Sequence, residues 1–179
     1  MLGWLVRRRI ASFERDYDYD MSYARDMYNA SPRAFFRFSK MLGISGHREK
    51  VPIEAWYAAK LAATLSEDCG PCTQLVVKLA EREGVNPATI HAVLRDDQAA
   101  MPADAALGFR FARSVLGRDI AESDRLRRQI VAKWGNKALV SLALTIASSR
   151  VYPSLKYALG HGQACTRVSL AGSEVAVHH

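Results

Sequence analysis

Residues 53–72 read IEAWYAAKLAATLSEDCGPC, and this stretch decides the fold of the chain. Its first part is rich in alanine and has helical character, which predicts an α-helix that opens at Pro52. The last four residues, CGPC at 69–72, contain a C-x-x-C pair, the smallest sequence unit that can cycle between dithiol and disulfide. Because Pro71 suits the first turn of a helix, a second helix should begin at the dithiol. The pattern therefore predicts two thiols between two helices.

Helical periodicity continues through most of the remaining sequence. The pairs Ser31-Pro32 and Asn86-Pro87 are typical helix starts, with a capping side chain followed by proline at the first helical position. The helix that starts at Pro32 should run to a stop at Gly43. We therefore expect an all-α fold, a multi-helix bundle with the C-x-x-C pair at a helix N-terminus.

The helical pattern changes near the C-terminus, first at a proline and then at a strand signal. Residues 136–152 predict a mostly apolar helix, which Pro153 should bend or restart. A strand signal is nearly absent before residues 166–170.

The length of 179 residues suits a single domain. Its predicted parts are an N-terminal helical extension, a helical core and a tail, with bounds 1–50, 51–160 and 161–179.

Charge and cysteine usage narrow the class of protein. The formal net charge is +7, but the basic clusters are dispersed and interleaved with acidic residues, which argues against a nucleic-acid partner. The three cysteines, Cys69, Cys72 and Cys165, form a poor disulfide framework because they give one close pair and one single residue. This usage favours a redox or metal site in a cytoplasmic protein.

The N-terminal segment MLGWLV is followed by three arginines. Its apolar run is too short for a signal peptide and the charges come after it, and no stretch reaches the ~20 apolar residues of a membrane span. We expect a cytoplasmic location without membrane insertion. The segment is either an amphipathic helix on a membrane surface or, as we prefer, a helix that packs on a partner subunit.

The dithiol has the parts of a redox cycle. A helix N-terminus stabilises a thiolate, and cysteines three residues apart on a first turn can bring their sulfurs together. One thiolate would attack a peroxide or a disulfide, and the other would resolve the product. Glu67 is the candidate base for the thiol proton. The alternative is that Glu67 and Asp68 only interact with the positive end of the helix.

The chain resembles the carboxymuconolactone decarboxylase and alkyl hydroperoxidase D superfamily over about residues 50–160. The resemblance rests on the Ala-rich helix 54–66, the segment EDCGPCTQLV at 67–76, and AEREGVN at 80–86. It implies an all-α fold, assembly into dimers, trimers or hexamers, and reduction of a small hydroperoxide with electrons from a dithiol reductant that the sequence does not identify. Under this resemblance Cys72 is the attacking thiol and Cys69 the resolving thiol, and no cofactor or metal is needed.

Two positions depart from the family pattern. The family places a histidine one turn after the second cysteine, where this chain has Val76. It also places a glutamate about three turns before the first cysteine, near the position of Tyr57 in this chain, with Glu54 one turn earlier. The proton relay is therefore missing or rebuilt. Glu54, Tyr57, Glu67 and His161 are the candidates to supply it.

Three other interpretations use the same residues. Cys69, Cys72, His161 and Cys165 would make a Cys₃His zinc set of the type found in closed structural sites. A thioredoxin would also contain CGPC, but it requires βαβ units that this sequence does not supply. Val76 in place of histidine favours a non-enzymatic, oligomeric interaction protein.

Overall fold

The computed structural model describes residues 2–164 and 167–177 and is built mostly of α-helices. The prediction of an all-α fold is confirmed in this coarse form, since the described residues add only one small two-stranded sheet. In chain order the helices are α1 Leu2–Tyr17, α2 Ser22–Ala30, α3 Pro32–Phe38, α4 Met41–Ser45, α5 Ile53–Leu65, α6 Gly70–Arg82, α7 Pro87–Leu94, α8 Ala103–Leu116, α9 Ile120–Trp134 and α10 Asn136–Ala158.

Helix α5 is the centre of the core. Every residue from Ala55 to Leu65 is buried, so the helix is covered on all sides, as expected for an apolar, Ala-rich sequence. It packs against α6, α7, α8 and α10. The crossing with α8 is close because Gly108 has no side chain, and a Cβ built on it would lie 2.2 Å from the carbonyl oxygen of Ala55.

Helices α1 to α3 form a second, smaller hydrophobic cluster beside this core, and α4 packs against α10. The buried side chains of the cluster come from α1, α2 and the turn between them, and Leu75 of α6 and Leu155 of α10 pack against it. Ser31 caps α3 as predicted, accepting a hydrogen bond from the backbone N–H of Ala34 at 3.2 Å. The predicted single helix up to Gly43 is wrong, because the chain turns after Phe38 and starts the short helix α4.

Helix α10 continues through Pro153, so the predicted restart at this proline is wrong, whereas the predicted bend stays a prediction. It packs against α5 and α9 in the core, with Ala138, Leu142 and Ile146 buried. By length and composition it is also the one helix among residues 2–164 and 167–177 that could cross a membrane.

The tail forms a β-hairpin that docks on α6. Strands β1 Arg167–Leu170 and β2 Ser173–Ala176 pair antiparallel, with Val168 opposite Val175. The strand signal at 166–170 is confirmed for the described residues 167–170, whereas the second strand was not predicted. Gln74 of α6 holds the hairpin by exchanging two hydrogen bonds with the backbone of Ser169, at 2.6 and 2.8 Å. The hairpin thereby fixes the outer face of the helix that carries the dithiol.

Candidate functional site

The two cysteines meet at the start of α6. Cys69 is the N-cap residue of this helix and Cys72 lies in its first turn, with Cα atoms 5.3 Å apart and the two sulfur atoms joined in a disulfide. Both residues are buried, with 0% of Cys69 and 5% of Cys72 exposed. The expected geometry, in which both sulfurs reach each other across one helical turn, is therefore present. Such a pair can exist as dithiol or disulfide without a large change of the backbone.

The last turn of α10 and the segment after it hold the backbone around Cys69. The backbone N–H of Gly70 donates a hydrogen bond to the carbonyl oxygen of Gln163 at 2.9 Å. The Tyr157 hydroxyl donates to the carbonyl oxygen of Asp68 at 2.7 Å. Asp68 has a φ of 47°, in the left-handed region that few residues other than glycine adopt. These two bonds fix the backbone on both sides of Cys69.

The structure places Glu67 at α10. Its carboxylate pairs with the guanidinium group of Arg150 and accepts a hydrogen bond from the Ser154 hydroxyl at 3.3 Å. The side chain is 16% exposed. Glu67 therefore connects the segment after α5 to α10. Its role as the base for the dithiol stays a prediction.

Cys72 lies on the wall of a cavity of about 790 Å³. The cavity lies between two groups of helices. The N-terminal helices α1, α3 and α4 are on one side, and α5, α6 and α10 are on the other. Positions 72, 75, 76, 79 and 83 of the α6 region share one face and line one side of it. Positions 57, 60 and 64 of α5 line the adjacent side. The helix hairpin with the dithiol thus also forms one wall of this cavity.

Lys60 is a buried cation on this wall. It is 8% exposed, its Nζ donates a hydrogen bond to the carbonyl oxygen of Ser45 at 2.8 Å, and it lies 4.3 Å from the centre of the Trp56 ring. Burial lowers the pKa of Lys60 to about 8, although the charge of Glu83 opposes the shift. Near neutral pH the cavity therefore contains an ammonium group that water does not fully solvate.

Tyr57 and Glu83 form a hydrogen-bonded pair on the same wall. The Tyr57 hydroxyl donates to Oε1 of Glu83 at 2.9 Å, and burial together with this bond raises the pKa of Tyr57 well above its usual range. The hydroxyl is thereby held in its protonated form. Tyr57 can donate a proton in a hydrogen bond but is poorly suited to act as a base.

The other sequence-predicted candidates are distributed over the fold. Val76 stands on the cavity wall and is 6% exposed. Glu54 lies in the first turn of α5 and is not among the cavity-lining residues. The Nε2 atom of His161 is 3.0 Å from a carboxylate oxygen of Asp26. Within residues 2–164 and 167–177, cysteine, histidine and carboxylate side chains form no group of three that could hold a metal ion, and Cys165 lies outside the described residues.

Sequence reasoning did not find Lys60 or the contact between Gly70 and Gln163. A signal for Lys60 was present, because it is the one charged side chain between Trp56 and Leu65 in an otherwise apolar helix. The backbone contact has no such signal, since it depends on where the chain after α10 returns in space.

A comparison of the chain with protein-family models, with curated proteins and with solved structures found no match.

Proposed function

We propose that the protein is a thiol-dependent oxidoreductase that reduces hydroperoxides with the Cys69–Cys72 dithiol. The observation that carries the proposal is the position of Cys72, which is bonded to Cys69 at a helix N-terminus and borders an apolar cavity. A substrate in the cavity could approach the Cys72 sulfur, whereas Cys69 is fully buried behind it. This asymmetry favours Cys72 as the attacking thiol and Cys69 as the resolving thiol.

The proposed cycle has three balanced steps. The thiolate of Cys72 attacks the terminal peroxide oxygen, the O–O bond breaks, and the alcohol leaves with one added proton while Cys72 becomes a sulfenic acid. The thiol of Cys69 then attacks that sulfur, forming the disulfide and releasing water. A dithiol reductant finally gives two electrons and two protons and is itself oxidised to a disulfide.

The structure supports stabilisation of the thiolate more directly than it supports a particular base. The first turn of α6 directs backbone N–H groups and the positive end of its dipole toward the dithiol, which favours a thiolate at Cys72. Glu67 remains the proposed acceptor of the thiol proton, through a movement away from Arg150. The remaining proposals are a cytoplasmic location, a homo-oligomeric assembly, and no membrane insertion or nucleic-acid partner.

Peroxide consumption by the reduced protein tests the function. With dithiothreitol as reductant we expect turnover by the wild type, none by Cys72→Ser, and a single oxidation of Cys72 in Cys69→Ser. In the last variant the sulfenic acid should persist and be trapped by dimedone, which mass spectrometry assigns to residue 72. Cys165→Ser is the matched control that removes a thiol outside the pair and should keep full turnover.

Turnover by Cys72→Ser equal to that of the wild type would disprove the mechanism. A fully reduced wild-type protein that consumes neither hydrogen peroxide nor an organic hydroperoxide would favour the second candidate function, a non-enzymatic interaction protein. The observation that favours this candidate is Val76, an apolar residue at the position where the family that the sequence resembles has a histidine.

A further inference from the structure

The cavity beside the dithiol has walls of different chemistry. Helices α3 and α6 contribute apolar side chains and α1 contributes both apolar and polar ones, whereas a second group of polar side chains lies where α4, α5 and α10 meet. The polar groups at this junction include those of Ser45, Lys60, Ser149 and Tyr152. A volume of about 790 Å³ is within the range of small-molecule sites in proteins. An occupant that matches both walls would have one polar end and one apolar end.

Lys60 gives the polar junction its charge. An ammonium group has three donors, and Nζ of Lys60 donates one hydrogen bond, to Ser45, within residues 2–164 and 167–177. In the same part of the chain no carboxylate oxygen lies within 4.0 Å of it. A buried charge without an ion partner is unfavourable. The arrangement therefore suits a ligand that brings an anionic group.

Glu83 is the carboxylate whose charge acts on Lys60, but it already accepts the hydrogen bond of Tyr57. Over the whole cavity the cationic side chains are Arg9, Arg48 and Lys60, and the anionic ones are Asp16 and Glu83. The cavity is thus positive by one charge when all five are ionised. A single negative charge on the ligand would balance it.

Ser149 is a second, independent indication at the same junction. It is 4% exposed and lies on the cavity wall, and its Oγ has no hydrogen-bond partner within the described chain. Pro153 lies four residues later in α10 and has no N–H, so the carbonyl of Ser149 also lacks its ordinary intrahelical donor. Unpaired buried polar groups are rare in folded proteins, so each one requires an explanation, and a hydrogen bond to a ligand would supply one here.

We propose that this cavity binds an amphipathic monoanion, a straight-chain carboxylate whose head group pairs with Lys60 and whose tail lies along the apolar face of α6. Leu75, Val76 and Leu79 form that face, one to two turns after Cys72. The ligand would be ordered by one charged contact at the head and by burial of methylene groups along the tail. The site does not depend on the redox chemistry proposed above, because the head group and the tail contact residues other than the cysteines.

Calorimetric titration of the disulfide form tests the proposal without any enzymatic assay. The ligands are hexanoate, octanoate and decanoate below their critical micelle concentrations, with decyltrimethylammonium as the cation of matched tail length. We expect decanoate to bind, affinity to rise about fourfold for each added methylene group, and the cation to bind at least tenfold more weakly. Equal affinity for the anion and the cation, or no heat of binding with decanoate, would refute the proposal.

Two variants test the two ends of the ligand separately. Lys60→Met keeps an unbranched side chain that is one heavy atom shorter and removes the charge, so it should lower decanoate affinity at least tenfold. Leu75→Trp keeps Lys60 but fills part of the tail space, so it should weaken decanoate more than hexanoate. Lys137→Met is the control for loss of a positive charge, because Lys137 pairs with Glu49 on the surface, and it should bind like the wild type.

Each variant is first shown to be folded by its circular dichroism spectrum and unfolding transition. If Lys60→Met does not fold, the head-group comparison in the wild type and the chain-length comparison in Leu75→Trp decide the question. A folded Lys60→Met that binds decanoate as tightly as the wild type would overturn the assignment of the head group. Binding of decanoate by a protein that consumes no peroxide would leave this proposal standing while the proposed function fails.

Discussion

The hydroxyl of Tyr157 donates a hydrogen bond to the carbonyl oxygen of Asp68 at 2.7 Å, immediately before the first cysteine of the dithiol. This bond joins the last turn of α10 to a residue in the left-handed backbone region, with a φ of 47°. The ring of Tyr157 also packs on Gly162, where a Cβ would lie 2.1 Å from the ring. The end of α10 therefore holds the peptide that leads into Cys69.

Tyr157→Phe should loosen this attachment while keeping the ring. Tyr157 is 47% exposed, so we expect the free energy of unfolding to fall by only about 0.5–1 kcal/mol. If this loss acts on local opening of the segment over Cys69, dithiothreitol should reduce the disulfide about two- to fivefold faster. Urea unfolding and the rate of thiol release measure the two effects.

Tyr17→Phe is the matched control, since it removes a hydroxyl from α1 and leaves the contact at Asp68 intact. Its disulfide should be reduced at the wild-type rate. Unchanged reduction in Tyr157→Phe would show that access to Cys69 does not depend on this bond.

Local signals in the sequence predict the positions of the helices well. Ser31 and Asn86 both accept the capping hydrogen bonds that their side chains predict, from Ala34 and Ala88. The start of α6 at the dithiol follows from Pro71, whose missing N–H is no loss in the first turn of a helix. These features are determined within a few residues of the chain, so a single sequence is enough to find them.

Features determined by tertiary packing could not be predicted in this way. Proline in a helix interior normally breaks it, yet α10 continues through Pro153, which is buried among neighbouring elements. The hydrogen bond between Gly70 and Gln163 joins residues far apart in the sequence. The charge of Lys60 faces a cavity that exists because α1, α3 and α4 lie over α5 and α6. The dithiol was therefore predictable, whereas the cavity beside it was not.

Glu67→Gln tests whether Glu67 accepts the proton of Cys72. If it does, the variant should reduce the second-order rate constant of the reduced protein with peroxide at least tenfold and change the pH dependence of that constant. Arg150→Gln removes the ion partner but keeps the carboxylate, so we expect its rate constant to stay within about threefold of the wild type. Stopped-flow measurement of Cys72 oxidation supplies both values. Equal loss in the two variants would instead indicate that Glu67 acts only by holding α10.

The burial of Lys60 predicts how stability changes with pH. Its pKa is about 8 in the folded chain, whereas an unfolded chain has the ordinary value of about 10.4. When the pH lies between these two pKa values, the unfolded chain binds more protons at Lys60 than the folded chain does. The free energy of unfolding therefore rises as the pH rises. Relative to Lys60→Met, the wild type should gain about 2 kcal/mol between pH 7 and pH 9.5.

Urea unfolding of both proteins, in a Cys165→Ser background with the disulfide intact, measures this difference. The comparison with Lys60→Met cancels the contribution of Lys156, whose pKa burial also lowers. Tyr57 and Tyr19 have raised pKa values, so they oppose the trend only above about pH 10. A constant difference across this pH range would show that Lys60 is solvated like a surface lysine.

The close crossing of α5 and α8 at Gly108 predicts a large loss of stability on substitution. A Cβ on Gly108 of α8 would lie 2.2 Å from the carbonyl oxygen of Ala55 in α5, and no rotation of a side chain can relieve a contact with backbone. Gly108→Ala should therefore force α5 and α8 apart and lower the free energy of unfolding by about 2 kcal/mol or more. Gly43→Ala in α4, where no atom lies within 4 Å of the added Cβ, should raise it by about 0.5–1 kcal/mol. Because α5 also carries Lys60, Gly108→Ala should also weaken ligand binding in the cavity. A Gly108→Ala protein as stable as the wild type would contradict the close crossing of α5 and α8.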